Sequence, residues 1–168
     1  MRKLLVVGFL ALSSQALAGS VYQLDWMNHS ERPGTEKLTL GQANNKVYVV
    51  EAWFNGCPYC HENAPNVDAL ATTLASNSQI TVIDLGRDRR TSDYTSWINR
   101  HHPNHPVVRD GDSQSLLSQL QVSGYPTTVV LDCNLQVKMT KVGTWEEGDA
   151  EELAAKAREV SQAGCTVR

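Results

Sequence analysis

The chain has 168 residues, a formal net charge of −3 and 41% hydrophobic residues. That is enough for one ordinary hydrophobic core. Its mild acidity gives no electrostatic reason to bind nucleic acid or an anionic lipid surface.

The chain begins with Arg2 and Lys3, an apolar run over residues 4–12 and then Ala16-Leu17-Ala18. A positive start, a short apolar stretch and an A-x-A site read as a secretory signal peptide over residues 1–18, leaving 19–168 as one domain. The apolar run is short for a membrane span; an uncleaved anchor is the alternative. Loss of Arg2 and Lys3 moves the formal charge to about −5. Four cysteines then lie in an oxidising compartment, periplasmic or extracellular, where two pairs are expected.

Residues 21–40 read as short extended pieces about a Pro33-Gly34 turn, with 38–40 as a strand and another turn at Asn44-Asn45. The run KVYVVEAWF over 46–54 is apolar and β-branched, the pattern of a buried central strand. Pro58 suits a first helical position. Ala64, Val67, Leu70, Ala71 and Leu74 then recur at helical spacing, with Pro65 expected to kink the helix. QITVIDL over 79–85 is a second buried strand, followed by the charged stretch Arg87-Asp88-Arg89-Arg90. A helix is expected over 92–100 with Tyr94, Trp97 and Ile98 as its apolar side. A short strand at 107–108, a turn at Asp110-Gly111 and a short helix over 113–120 follow. Gly124-Tyr125-Pro126 introduces a third strong strand, TTVVL over 127–131. Asn134 turns the chain into a strand over 137–142, ended by Gly143. Asp149 is expected to cap a final helix with Ala150, Leu153, Ala154, Ala157 and Val160 on one face, and Gly164 to end it. Strands separated by helices imply an α/β fold with a partly parallel sheet covered on both faces.

The motif Cys57-Pro58-Tyr59-Cys60 joins the first buried strand to its helix. Free backbone N–H groups at a helix start favour an anion. The Cys57 thiol is therefore expected below its free pKa of roughly 8.5, as the attacking thiolate. Cys60, one turn further on, is the natural resolving thiol. Glu51 is out of place within VYVVEAW. A buried carboxylate should hold its proton to higher pH, and one close to Cys60 could relay that thiol's proton. The alternative is a solvent-facing Glu51 at a strand edge.

These residues together resemble the thioredoxin superfamily. An acid stands six positions before the first cysteine (Glu51), an aromatic four before it (Trp53), a helix proline five after the second (Pro65), and a proline opens the third core strand (Pro126). The resemblance implies a thioredoxin-like α/β fold: a central mixed sheet flanked by helices, here with an N-terminal β extension and an inserted helix over 92–100. It implies a cis bond before Pro126, which would face the disulfide and keep the dithiol from capturing metal. It also implies a substrate groove formed by Tyr125 and Pro126 with Pro58, Tyr59 and Trp53. Within the superfamily the chain looks most like the TlpA, ResA and DsbE group of exported thiol-disulfide oxidoreductases. That group implies cysteine-containing protein substrates, a redox partner protein that is soluble or membrane-bound, no cofactor, a monomer and a lean toward reductase. The Pro58-Tyr59 dipeptide is more like glutaredoxins and some exported isomerases, which keeps oxidase or isomerase open. In thioredoxin topology the end of strand 127–131 and the end of the last helix lie together, so Cys133 and Cys165 are expected to form a structural disulfide. Free thiols or a second redox pair are the alternatives.

Other readings are weaker. Cys57, Cys60 and His61 spell C-x-x-C-H, the c-type haem attachment pattern, but Glu51, Pro65 and Pro126 have no role in it. No second ligand pair gives Cys57 and Cys60 a zinc site. His101, His102 and His105 in HHPNH read as a solvated loop rather than a metal site, Asp110 and Asp112 as turn residues, and His61 as an exposed helix residue. A binding protein that keeps the fold without redox turnover is the remaining alternative.

Overall fold

Val47–Trp53 (β3) is buried at all seven positions, because a run that is apolar on both faces but for Glu51 has no side it can turn to water. It lies inside a seven-stranded sheet in the computed structural model, which describes residues 21–41, 44–110 and 115–164. The other elements are β1 (Tyr22–Trp26), β2 (Glu36–Leu40), α1 (Pro58–Leu74), β4 (Ile80–Gly86), α2 (Thr91–His101), β5 (Val107–Arg109), α3 (Leu116–Gln119), β6 (Thr127–Leu131), β7 (Val137–Val142) and α4 (Asp149–Ala163). The strand order is β2-β1-β5-β4-β3-β6-β7. β3, β4 and β5 run parallel. β6 and β7 join antiparallel on one side, β1 and β2 on the other. This is the thioredoxin-like mixed sheet with its N-terminal β extension.

Alternation along β3 divides the core. Tyr48, Val50 and Ala52 pack with Ile83, Leu85, Val129 and the α3 residues Leu116 and Leu117. Val47 and Val49 face the other way, against Val67, Leu70 and Leu74 of α1 and Leu153 and Ala157 of α4. At the C-terminal end of β3 on that second face, Trp53 packs with Cys57, Cys60, Ala64, Tyr94, Trp97 and Val107. The inserted helix α2 thus closes the core beside the dithiol. Gly86 permits this closure: a Cβ there would lie 2.4 Å from the Tyr94 ring.

Two local expectations change, at α3 and at Asp149. The one-turn helix α3 starts at Leu116 behind its N-cap Ser115, while residues 113 and 114 of the expected helix lie outside the described residues. Asp149 is the first residue of α4, not its cap. Gly148 takes the cap position with φ +93°, a conformation open to glycine. The Asp149 carboxylate instead accepts from the Glu146 N–H (2.6 Å) and pairs with Lys141 (2.7 Å). Helix α1 runs through Pro65 to Leu74, although proline has no N–H to give the His61 carbonyl.

Candidate active site

Cys57 caps α1. Its backbone is extended (φ −91°, ψ 107°), Pro58 follows at the first helical position, and its Sγ accepts from the Cys60 N–H at 3.1 Å. Cys57 and Cys60 form a disulfide with Cα atoms 5.2 Å apart. The first turn of α1 holds no acidic residue, so no carboxylate of that turn opposes an anion at Cys57. Both sulfur-bearing residues are buried, while Tyr59 between them is 62% exposed.

Glu51 lies one layer below, on the same face of β3 as Trp53, and is 3% exposed. The solvent-facing alternative is therefore set aside. Two neutral donors hold its carboxyl group: Asn63 Nδ2 gives to Oε1 at 2.8 Å, and the Thr128 hydroxyl gives to Oε2. Asn63 is three residues after Cys60 on α1, so one helix face carries both the second thiol and the contact to the acid. Trp145 secures the pair, its backbone N–H giving to Asn63 Oδ1 (3.1 Å) and its indole to Thr128 Oγ1 (2.7 Å). Burial, only partly offset by these donors, pushes Glu51 up to about 7.

Asp84 stands beside Glu51 in the parallel β3–β4 register and is 2% exposed. Two unpaired carboxylates there would be costly. His105 faces Asp84: its Nε2 lies 3.2 Å from Asp84 Oδ1, at ion-pair distance though off the line of a hydrogen bond, and its Nδ1 lies 3.1 Å from Asp68. Burial alone would lower the imidazolium, but Asp84 and Asp68 outweigh it and raise His105 to about 10. The second Asp84 oxygen accepts from the Trp97 indole at 3.0 Å. Trp97 stacks on Trp53 with ring centroids 3.9 Å apart.

The HHPNH segment is a solvated loop only in part: His102, just after α2, is exposed, but His101 and His105 are not. His105 is a buried cation, and His101 is the last residue of α2, its Nε2 2.7 Å from His61 Nδ1. His61 is correspondingly half-buried rather than exposed, and its Nε2 gives its proton to the Asn55 carbonyl (2.8 Å). Among the described residues no group of three or more His, Cys, Asp or Glu side chains could hold a metal.

Tyr125 and Phe54 pack against the cluster that contains Cys57 and Cys60, with their rings edge to face at 5.4 Å. The Tyr125–Pro126 peptide bond is cis. Trp53, expected in the substrate groove, is fully buried: it supports the site from beneath and does not reach a substrate. Cys133 is buried at the end of β6, whereas Cys165 lies outside the described residues. Asn63, Thr128, Asp84 and Trp145 were not singled out from the sequence, and Trp97 only as part of the apolar side of its helix. Asp84 alone carried a usable signal, an acid within a buried strand.

A Redoxin family model matches residues 29–157. The chain belongs to the Redoxin family. A relative in Haemophilus influenzae, an uncharacterized protein, is 26% identical over 149 residues, 85% of this chain and 92% of that one. Solved structures share the fold at lower identity. A Chlorobium tepidum protein assigned as thiol:disulfide interchange protein DsbE gives a TM-score of 0.69 at 19% identity, covering 86% of this chain and 95% of that one. StoA from Bacillus subtilis gives 0.64 at 15%, covering 82% and 96%. A Redoxin chain with this fold and a Cys57–Cys60 disulfide at a helix start is a thiol-disulfide oxidoreductase.

Proposed function

We propose that the protein acts outside the cytoplasm, as residues 19–168 released from a signal peptide, and reduces disulfides in cysteine-containing proteins. The observation that carries the reading is the Cys57–Cys60 disulfide at the start of α1, with Cys57 Sγ on the Cys60 N–H and the Glu51–Asn63 contact on the same helix face. In the reduced protein the Cys57 thiolate attacks one sulfur of a substrate disulfide, forming the Cys57–substrate bond and releasing the other sulfur as thiolate. Cys60 then loses its proton toward Glu51, attacks Cys57 Sγ and releases the second substrate thiol. Two electrons reach the substrate, whose sulfurs leave as thiolates; one proton comes from Cys60 by way of Glu51 and the other from solvent, and the protein is left with its own disulfide. A dithiol partner protein, soluble or membrane-bound, returns the electrons by the reverse exchange. No resident cofactor enters these steps.

Tyr125 and Pro126 form one wall of the substrate groove and Pro58 with the exposed Tyr59 the other. Cys133 and Cys165 form a structural disulfide. The protein works as a monomer. Among the described residues no helix is long and apolar enough to cross a membrane.

The direction of flow is tested by the reduction potential of the Cys57–Cys60 pair, measured by equilibration with a dithiol of known potential. A reductase is expected near thioredoxin's value of about −270 mV. A value near about −120 mV would make the protein an oxidase instead.

A further inference from the structure

A polar cavity of about 440 Å³ opens at the C-terminal end of β4, lined by Arg87, Asp88 and Arg89 after that strand and by residues of β1, β5 and α3. Its wall is bonded to the strand end and loop that lead to Cys57: the Arg87 N–H gives to the Trp53 carbonyl (2.9 Å), and the Asn55 N–H gives to Asp88 (2.6 Å). The Arg87 guanidinium lies 5.7 Å over the Tyr125 ring, so the cavity and the proposed substrate groove share one wall.

Three arginines and three aspartates line this cavity, and most are already engaged. Asp25 takes both Arg109 and Lys37. Asp110 accepts from the Ser115 hydroxyl and from the Leu116 and Leu117 N–H groups. Arg109 also gives from Nη1 to the Arg89 carbonyl at 3.3 Å. Asp88 keeps one oxygen on Asn55. Among the described residues Arg87 and Arg89 make no ion pair, whereas Arg90 is turned away onto Asp93 at 3.0 Å. Arg87 and Arg89 are therefore the two lining guanidiniums that hold no carboxylate, and both are exposed, on a chain that is otherwise net acidic. A guanidinium is a planar donor fork suited to a carboxylate.

We propose that Arg87 and Arg89 bind an acidic side chain of the substrate protein, in the segment flanking its reactive cysteine, and so select acidic over neutral or basic contexts. This rests on the exchange reading above and names the class of substrate for that site.

The test uses the reduced protein and synthetic peptide disulfides that carry Glu, Gln or Lys two or three residues from the reacting cysteine. Rates are measured at low ionic strength and in about 0.5 M salt, where exposed charges are screened. The expected result is a kcat/KM about 5- to 10-fold higher for Glu than for Gln, lower still for Lys, with the spread shrinking in salt. Arg89→Gln leaves Arg87 on Tyr125 and should cut the Glu-to-Gln ratio about twofold or more. Arg87→Gln/Arg89→Gln should bring it to about one. Because the readout is a ratio within each variant, a general loss from the Tyr125 wall cancels. Equal kcat/KM for the three peptides, or a preference that survives in the double variant, overturns the proposal and leaves the exchange reading intact. No reaction of the wild type with any peptide overturns both.

Discussion

At the scale of single residues, Glu51 sets the pH behaviour. Its carboxyl group is buried against two neutral donors, and desolvation raises it from 4.5 to about 7. The folded protein therefore keeps a proton that the unfolded chain releases. The stability linked to that proton is fully present below about pH 4.5 and is lost as pH rises through about 7. Glu51→Gln keeps the acceptor for Asn63 and lets the Thr128 hydroxyl turn to accept. The variant should be more stable than the wild type at pH 8, by on the order of 1–3 kcal/mol, and equal to it near pH 4.5. Denaturant titrations at the two pH values check this. In pre-steady-state exchange the resolving step should also lose its inflection near 7, because the acceptor for the Cys60 proton is gone. Glu51 was legible in the sequence because a carboxylate interrupts an apolar run. Asn63 and Thr128, which hold it, were not, since a neutral polar residue on a helix or strand looks the same whether it meets water or a buried acid.

At the scale of elements, the dithiol depends on how α1, α2, β4 and β5 meet. Asp84 on β4 and Asp68 on α1 converge on His105, just before β5, and Trp97 of α2 ties Asp84 to the Trp53 stack. The His105 cation offsets the Asp84 charge that lies beside Glu51. Its pKa is raised from 6.5 to about 10, so its contribution to stability is fully present below 6.5 and is lost as pH rises through about 10. His105→Gln leaves a buried carboxylate uncompensated and should cost about 3–5 kcal/mol at neutral pH. It should also remove the fall in melting temperature between pH 7 and 10, and move the Glu51 inflection upward. The strands at 46–54, 79–85 and 127–131 were legible because a strand buried on both faces reads as a nearly continuous apolar, β-branched run. The Asp84–His105 pair was missed for the opposite reason: HHPNH has the composition of a loop, and the strand expected after it at 107–108 does not by itself show that His105 turns inward to Asp84 and Asp68. Asp84 lies within QITVIDL as Glu51 lies within VYVVEAW, and the same argument from a misplaced acid would have found it.

At the scale of the whole molecule, the sheet puts three things at one end of the parallel strands: the start of α1 with its dithiol, the loop before β6 with Pro126, and the arginine-lined cavity after β4. Ligand sites in open α/β sheets collect at the C-terminal ends of parallel strands, because helix starts and loops gather there. The fold was readable from the order of elements; the cavity was not, since it is made of loop side chains drawn from distant stretches. The central claim is that Cys57 attacks and Cys60 resolves. Its most direct test is mass spectrometry of Cys60→Ala after reaction with a disulfide-containing protein. The account predicts a stable one-to-one mixed disulfide through Cys57, absent in Cys57→Ser/Cys60→Ala. No adduct, or an adduct that persists without Cys57, would contradict it.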